Sequence, residues 1–494
     1  MRSTIALAAA LAMPMMGSAV ELSDDMLNKV YDLMGSMTKH TWENGSQSEA
    51  VVEWKHPQYS VYHQGALPIP DGITKDDVPE IVQIANWALA QTPKPYTQQK
   101  DAAARAAQSQ AATSTEENQE GDNQQQKRQA QTSSGSAAQT SAPSTTHSSA
   151  AHPSPTPKWP SYQTVPAKNN TQLPDGTPIV DDAAAGDPAA LGMSVVLAGK
   201  ATGDATVNNT KYSDAAQRQV DYLLYHVPRA PNGAISHRRD EVQLWADNVY
   251  MVPPFFAYYG VQTGNKTLVE ESYNQIKAYR DALRHPDNNL WQHIIYNEKI
   301  DEGLWGTGNA WAAAGIVRVI ATIQQSQWKD EMKDKINDLK SWADEIMKAT
   351  KDNMTGNHMI RNYVNNESSF EDSCATTLIA ATGLRMSTLN LTDDYVPTSL
   401  QMLAAASKNV NETGYLTHVT NPMLFKVEGS SSPEGQTFII LAYSAYKDWI
   451  AQGKKGVDKK HKDHPLDDDS SALATKAGVV STLAAVALSL WAVL

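Results

Sequence analysis

The chain has a single cysteine, Cys374, among its 494 residues. No disulfide can form within it, so packing must stabilise the core, and a chain of this length has enough apolar surface to do so. Strand-like alternation of polar and apolar residues is almost absent, which disfavours a β-rich fold. The formal net charge is −13 and no basic stripe accompanies it, so no nucleic-acid partner is expected.

Large apolar side chains are missing from Thr97 to Lys158, where Gln, Ala, Ser and Thr dominate. Such a segment cannot bury enough apolar surface to offset the entropy lost on ordering. We therefore predict a disordered insertion over residues 98–158. Helical patterns lie on both sides of it, at Leu22–Met37 and Val78–Ala90 before and at Ala189–Leu197 after, so the insertion interrupts one domain near its start.

The two ends of the chain have the composition of processing signals. Residues 1–19 combine Arg2, the apolar run Ile5–Met16 and small residues at a cleavage position, the pattern of a secretory signal peptide. The far end has small residues around Ser470, a short spacer and an apolar tail over Val479–Leu494, the pattern of a glycolipid-anchor (GPI) signal. That tail is short for a transmembrane helix. We therefore predict a secreted protein at the cell surface, attached to the outer leaflet through Ser470.

Asn-x-Ser/Thr sequences agree with secretion. They predict N-glycosylation at eight positions: Asn44, Asn169, Asn208, Asn265, Asn353, Asn366, Asn390 and Asn411.

Helix-length apolar patterns dominate the remainder, and about eleven can be identified. Those after the insertion are Ala189–Gly199, Asp214–His226, Glu241–Tyr259, Leu268–Leu283, Ala310–Gln325, Asp330–Ala349, Asp372–Met386, Ser399–Ser407 and Gln436–Ile450. Similar turn segments begin near Gly233, Leu290, Gly356 and Gly414, at intervals of 57, 66 and 58 residues. A period near 60 with two helices per unit indicates stacked helical hairpins. An open solenoid and a closed α/α barrel both fit, and a six-hairpin barrel needs twelve helices.

The stretch from His237 to Trp311 has the composition of a carbohydrate site. It contains Asp247, His237, His293 and four tryptophans. Indole faces pack on sugar rings, and a carboxyl group among them can be kept from water. No two of the histidines and Asp247 form a closely spaced ligand pair, so we predict neither a metal site nor a cofactor.

At these residues the chain resembles the unsaturated rhamnogalacturonyl and unsaturated glucuronyl hydrolases. The segments that carry the resemblance are Gln243-Leu-Trp-Ala-Asp-Asn with the Pro-Pro-Phe that follows, Trp305-Gly-Thr-Gly-Asn-Ala-Trp311, Phe370-Glu-Asp-Ser-Cys-Ala and Gly435-Gln-Thr-Phe. The resemblance implies an all-α (α/α)6 barrel of six helical hairpins. Its first part would be residues 20–97 and its main part 159–452, followed by a polar stalk over 453–470 and the anchor signal over 471–494.

The resemblance also implies roles for individual residues. Asp247 would be the general acid and base, and Asp187 matches the family's second acidic position. The sugar subsite would be lined by His237, Trp245, His293, Trp305, Thr307 and Trp311. Thr307 departs from the family, which has at this position an arginine that holds the uronate carboxylate. A threonine cannot form a bidentate charged pair, which weakens the resemblance at uronide binding more than at the fold.

The family's chemistry hydrates a C4=C5 double bond in uronyl oligosaccharides such as those of pectin-like polysaccharide. Two alternatives remain open from the residues alone. The first is an ordinary glycosidase or transglycosidase of wall glycans, which needs a second carboxylate, such as Asp301, Glu298 or Glu302. The second is a wall protein that binds glycans without catalysis. Asp247 itself could simply cap the helix that follows it.

Overall fold

A computed structural model describes residues 21–91, 176–296, 301–458 and 466. The predicted signal peptide, insertion and anchor signal fall outside this range, as do Asn169 and Ser470. Glu298 also lies outside it.

Twelve α-helices make up the described part of the chain. In chain order they are α1 Asp24–Met37, α2 Thr41–Lys55, α3 Pro79–Ala90, α4 Gly192–Ala201, α5 Tyr212–Tyr225, α6 Asn248–Thr263, α7 Lys266–Leu283, α8 Gly306–Gln325, α9 Lys333–Asp352, α10 Ser373–Thr388, α11 Val396–Ser407 and α12 Pro433–Ala451. Two short 3₁₀ helices, Pro57–Tyr59 and Asp187–Leu191, complete the helical elements.

The even-numbered helices form a closed inner ring. Going round the ring, α2 contacts α4 with its preceding 3₁₀ turn, and the contacts continue through α6, α8, α10 and α12 back to α2. Each odd-numbered helix packs outside: α1 on α12, α3 on α2 and α4, α5 on α4, α7 on α6, α9 on α8, and α11 on α10. This arrangement is the predicted (α/α)6 barrel, and the closed ring excludes the open solenoid.

The helix that the sequence pattern misses is α2. Its sequence, TWENGSQSEAVVEWK, has no apolar stripe, because nearly all of its faces are buried inside the barrel. Gly45 allows α2 to approach the 3₁₀ turn, since a Cβ there would lie 2.3 Å from the Cβ of Ala190. An inner helix that carries polar side chains into a barrel therefore escapes a search for amphipathic periodicity.

Buried ion pairs fix α2 to the opposite inner helices. Glu53 pairs with Arg318 of α8 and, at 2.8 Å, with Arg385 of α10. Glu49, one turn earlier, lies 3.2 Å from Arg318. The cost of burying these charges is offset because each one meets an opposite charge.

The remaining elements are short strands in the loops. β1 (Thr206–Val207) pairs with β2 (Thr210–Lys211), β3 (Leu244–Trp245) with β4 (Ile294–Ile295), β5 (Ile360–Arg361) with β6 (Glu371–Asp372), and β7 (Val419–Asn421) with β8 (Leu424–Gly429), all antiparallel. The repeated turn segments of the sequence are the loops that lead from an outer helix to the next inner helix. Three of them make the same kind of isolated bridge: Arg229 with Ile235, Arg284 with Trp291, and Val410 with Leu416.

Helix α6 is shorter than the sequence pattern predicted. The pattern predicted a helix from Glu241, but α6 begins at Asn248. Residues 244–245 form β3 instead, which pairs with β4 across the rim.

Six of the predicted glycosylation sites are exposed: Asn208, Asn265, Asn353, Asn366, Asn390 and Asn411. The prediction of a glycan at Asn44 is corrected by the structure. Asn44 lies within inner helix α2 at 9% exposure, and its side-chain amide donates a hydrogen bond to the His40 carbonyl. Such burial argues against a glycan at that position. Within the described ranges, no helix is both long and apolar enough to cross a bilayer.

Candidate active site

The N-termini of the six inner helices meet around one cavity of about 470 Å³. Residues at or just before the first turn of every inner helix line it: Trp42 for α2, Asp187 for α4, Asp247 for α6, Thr307 for α8, Cys374 for α10 and Glu434 for α12. Helix N-termini carry partial positive charge, which favours carboxylates and anionic ligands there. The barrel therefore brings acidic groups together at this end of the molecule.

Seven of the eight residues predicted for the site line this cavity: Asp187, His237, Trp245, Asp247, Trp305, Thr307 and Trp311. His293 is the eighth predicted residue, and it does not line the cavity. Its side chain is fully buried, its ring lies 4.3 Å from the Trp305 ring centroid, and its Nδ1 lies 3.1 Å from Asp301 Oδ2. His293 therefore supports the wall from behind instead of facing the cavity.

Asp247 occupies the N-cap position of α6 but does not cap it. Its side chain accepts no hydrogen bond from the helix, and its Oδ1 is buried without a hydrogen-bond partner among the described residues. Asp372, at the same position of α10, shows the contrast: its carboxylate accepts from the amides of Cys374 and Ala375. The capping interpretation of Asp247 is therefore wrong, and its carboxyl group is available in the cavity wall.

A chain of hydrogen bonds determines which nitrogen of His237 carries its proton. The Tyr279 hydroxyl donates to the Ile235 carbonyl at 2.6 Å, so it must accept from Asn248 Nδ2 at 2.7 Å. The amide oxygen of Asn248 then faces His237 Nδ1 at 3.4 Å and accepts from it. Gly186 leaves room for this amide, since a Cβ there would lie 1.9 Å from Asn248 Oδ1.

Burial favours the uncharged forms of both His237 and Asp187. It lowers the pKa of His237, so the ring is neutral and its Nε2 carries a lone pair. This Nε2 atom lies 3.9 Å from Asp187 Oδ1. Burial also raises the pKa of Asp187 well above its ordinary value, and the neighbouring carboxylates of Asp182 and Asp247 raise it further when they are ionised. The folded protein therefore favours the protonated form of Asp187.

Aromatic rings form one side of the cavity. The His237 ring stacks on Trp245 with centroids 4.6 Å apart, and Phe425 of β8 meets Trp245 edge-on at 5.8 Å. Trp305 is held by a hydrogen bond of 2.9 Å from its Nε1 to Asn362 Oδ1. Trp311 is almost fully buried and lies 4.4 Å from the ring of Tyr250. These surfaces suit the apolar face of a sugar ring.

Thr307 is engaged with the protein. Its hydroxyl donates a hydrogen bond of 2.6 Å to Asp372 Oδ2, and the side chain is only 2% exposed. Burial raises the pKa of Asp372, against the hydrogen bonds from Thr307, Thr420 and the helix amides.

Glu434 and Trp42 are cavity residues that sequence reasoning missed. The Trp42 indole donates 2.7 Å to Glu434 Oε1, while Glu434 Oε2 is buried without a partner among the described residues. Burial raises the pKa of Glu434 to about 7, and the neighbouring Glu43 adds to this effect. Their position along the chain is the signal that could have identified them. Both residues lie at the N-termini of inner helices, as Asp247 and Thr307 do.

Asp301 and Glu302, two of the carboxylates named as partners for Asp247, do not line the cavity. Glu302 is exposed at the surface. Asp301 accepts from the Tyr363 hydroxyl at 2.5 Å and contacts His293. Burial alone would raise the pKa of Asp301, but these two hydrogen bonds hold it well below its usual range. Among the described residues, Asp182, Asp187 and Glu434 line the cavity together with Asp247, and Asp187 interacts electrostatically with Asp247.

A larger open groove of about 1280 Å³ lies at the other end of the barrel, around the C-terminal ends of α8, α10 and α12. Its lining mixes apolar residues with lysine, glutamine and asparagine side chains, and it lacks the tryptophans and the Asp187–Asp247 pair of the first cavity. No group of three or more potential ligands in the described ranges is arranged to hold a metal ion.

The geometry agrees with a comparison of protein families. Residues 204–427 match the model described as Glycosyl Hydrolase Family 88. The match covers less than half of the chain, and over those residues it confirms the predicted resemblance. The family-88 segment includes His237, Arg238 and Asp247, whereas Asp187 and Glu434 lie outside it.

Solved structures of related proteins are also similar to the chain. A possible member of the GH105 family from Klebsiella pneumoniae has 18% identity and a TM-score of 0.47, with 52% of this chain and 70% of that one covered. A possible GH105 member from Salmonella enterica has 17% identity and a TM-score of 0.42, with 47% and 64% covered. The chain thus spans less than two thirds of that protein.

The unsaturated glucuronyl hydrolase of Bacillus sp. GL1 has 14% identity and a TM-score of 0.39, with 54% of this chain and 75% of that one covered. A comparison with curated protein sequences finds no match.

Proposed function

We propose that the chain hydrates the C4=C5 double bond of unsaturated uronyl residues at the end of oligosaccharides, with pectin-like polysaccharide as their source. One observation carries this proposal. Asp187 and Asp247 share a cavity walled by Trp245, Trp305 and Trp311, and neither carboxyl group is used to cap a helix. A carboxyl group in such surroundings can transfer a proton to a sugar carbon.

In the proposed reaction, the Asp247 carboxyl group gives its proton to C4. The electrons of the double bond form the new C4–H bond, and positive charge develops at C5 and the ring oxygen. The Asp247 carboxylate then takes a proton from water as the water oxygen bonds to C5. The resulting hemiketal opens, the neighbouring sugar leaves, and Asp247 is again protonated. Positioned proton transfer of this kind contributes roughly 10²–10⁴ in rate.

Asp187 has a different part in this scheme. Because burial favours its protonated form beside the neutral His237, we propose that it adds no negative charge next to a uronate. Its proton also makes it a hydrogen-bond donor for a sugar oxygen, as a buried neutral carboxylic acid can be.

The test is the ultraviolet absorbance of an unsaturated uronyl disaccharide, because hydration destroys its conjugated chromophore. The proposal expects the absorbance to fall in the presence of the protein. Cleavage of saturated wall glycans without any change in absorbance would favour the two-carboxylate glycosidase, with Asp187 as the second carboxylate. Binding of glycans without turnover of either kind would favour the non-catalytic wall protein.

We also propose that the protein acts at the cell surface as a glycosylated, GPI-anchored enzyme. The support is in the sequence: the apolar Ile5–Met16 run, the Val479–Leu494 tail and the exposed Asn-x-Ser/Thr sites. Treatment of intact cells with a phosphatidylinositol-specific phospholipase should release the protein. Recovery of the 479–494 peptide from the mature protein would contradict the anchor.

A further inference from the structure

We infer that Arg238 binds the carboxylate of the uronyl group, in place of the arginine that the resembling hydrolases have at the position of Thr307. The inference rests on the proposed function and names the residue that would select an anionic substrate.

The charge of the cavity lining is the first part of the argument. Four carboxyl groups face the cavity, and Arg238 is the one lysine or arginine among the described lining residues. His237 cannot substitute for it, because burial lowers its pKa and leaves the ring neutral. A substrate carboxylate in this acidic cavity therefore has a single permanently charged partner within reach.

The Arg238 backbone is fixed while its guanidinium is uncommitted. Its amide donates 3.1 Å to Ser236 Oγ, and the residue forms a bridge with Ala184. Within the described part of the chain, the guanidinium makes no hydrogen bond within 3.5 Å and no ion pair within 4.0 Å. Asp182, the nearby lining carboxylate, is already occupied by the Thr41 hydroxyl at 2.7 Å and the Ala184 amide at 3.0 Å.

The neighbouring Arg239 shows what a structural arginine looks like in the same loop. It pairs with Asp181 and, at 3.3 Å, with Asp240, and it does not line the cavity. Two adjacent arginines therefore differ in one respect, since Arg239 has carboxylate partners in the protein and Arg238 does not. A guanidinium without a partner at a cavity wall is ready for a bidentate contact with a ligand carboxylate.

The position of Arg238 also suits the proposed reaction. It follows His237, whose ring stacks on Trp245, and its charge opposes the burial that raises the pKa of Asp187. The Arg238 guanidinium is therefore close enough to Asp187 to interact with it electrostatically. In an unsaturated uronide the carboxylate is bonded to C5, one of the two carbons of the reacting double bond. Its partner must therefore lie in the same cavity as the acid, and Arg238 lines that cavity with Asp247.

The experiment compares an unsaturated uronyl disaccharide with its neutral methyl ester, for the wild type and for Arg238→Ala, Arg238→Lys and Arg239→Ala. Loss of absorbance gives kcat and KM for each combination. Arg238→Ala should raise KM for the acid by about 10-fold or more, the size expected for a charged hydrogen bond, and change KM for the ester by less than about 2-fold. Arg238→Lys should recover part of the loss, and Arg239→Ala should behave as wild type.

The other possible results contradict either the role of Arg238 or the proposed hydration reaction. If Arg238→Ala changes acid and ester equally, or changes neither, the role of Arg238 is wrong while the hydration reaction stands. If the wild type consumes neither compound, the proposed function fails, and calorimetric binding of glucuronate against glucose then decides the matter. Equal affinity of the wild type and Arg238→Ala for glucuronate would overturn the inference. Melting curves of the two Arg238 variants show whether a loss reflects unfolding instead.

Discussion

His237 Nε2 lies 3.9 Å from Asp187 Oδ1, and the hydrogen bond from His237 Nδ1 to Asn248 leaves a lone pair on the nitrogen that faces the carboxyl group. Both side chains are buried, and burial penalises the charged form of each: it raises the pKa of Asp187 and lowers that of His237. The two side chains lie together in the wall of the cavity between the inner-helix N-termini. A buried pair of this kind favours a protonated carboxyl group next to a bound sugar.

Asp187→Asn should make the protein more stable relative to wild type as the pH rises. The folded state holds the Asp187 proton above the ordinary pKa of 3.8, so this group favours folding below that value, and the advantage is lost as the pH rises towards the raised pKa. Asparagine cannot ionise and removes the dependence. The difference in melting temperature should therefore grow in favour of the variant as the pH rises above 3.8. Parallel curves for the two proteins would contradict the burial argument.

Glu434→Gln should show the same sign in a window that can be named. The ordinary pKa of 4.5 is raised to about 7 by burial, so the stabilising effect of the bound proton is complete below pH 4.5 and lost as the pH rises to about 7. Glutamine keeps the carbonyl oxygen that accepts from Trp42. The difference in melting temperature should therefore grow between pH 4.5 and 7 and then level off. A difference that is constant across this range would mean that Glu434 is already ionised in the folded protein.

Asp247→Asn should lower kcat by about 10²-fold or more with little change in stability. The substitution removes the proton that is transferred but keeps the size of the side chain. Because Oδ1 has no hydrogen-bond partner among the described residues, few protein contacts are lost. Steady-state hydration of an unsaturated disaccharide measures the effect, and a melting curve gives the control. Turnover at the wild-type rate would remove Asp247 from the mechanism.

The fold could be predicted from sequence where a helix has one solvent-exposed face and one buried face. The outer helices, such as α9, keep a clear apolar stripe against the inner ring, and the loops between units recur with a period near 60 residues. Helix α2 was missed because its burial is nearly complete and its polar residues pair inside the barrel. Periodicity reports a difference between two faces, and α2 has none.

The site could be predicted where chemistry and a family pattern coincide, as at Asp247 and Trp305. Glu434 and Trp42 could not be found that way, since they are far apart in sequence and meet only because the ring of helices closes. Sequence also predicted that His293 lines the cavity, because nothing in a single chain distinguishes a wall residue from the residue behind it. The Asp301 contact is what holds this histidine behind the wall.

Glu53→Gln should destabilise the protein by about 3–5 kcal/mol, the usual cost of breaking a buried ion pair by removing one partner. Glu53 is 5% exposed and bridges Arg318 and Arg385, and its loss leaves Arg318 paired with Glu49 alone and Arg385 with Asp448 alone. Chemical denaturation measures the free energy of unfolding. A matched surface control is Lys348→Ala, which breaks the exposed pair with Asp352 and should cost less than about 1 kcal/mol. Equal effects of the two substitutions would mean that the buried network contributes no more than a surface pair.

Thr307→Arg should fail to replace Arg238, although it restores the arginine of the resembling hydrolases. The Thr307 hydroxyl lies 2.6 Å from Asp372 Oδ2, a fully buried carboxyl group. A guanidinium at this position would meet Asp372 first and pair with it, because a buried carboxylate is a stronger partner than one that must leave water. The double variant Thr307→Arg with Arg238→Ala should therefore keep the raised KM for the unsaturated acid. Recovery of the wild-type KM in that double variant would show that the new arginine reaches the substrate past Asp372.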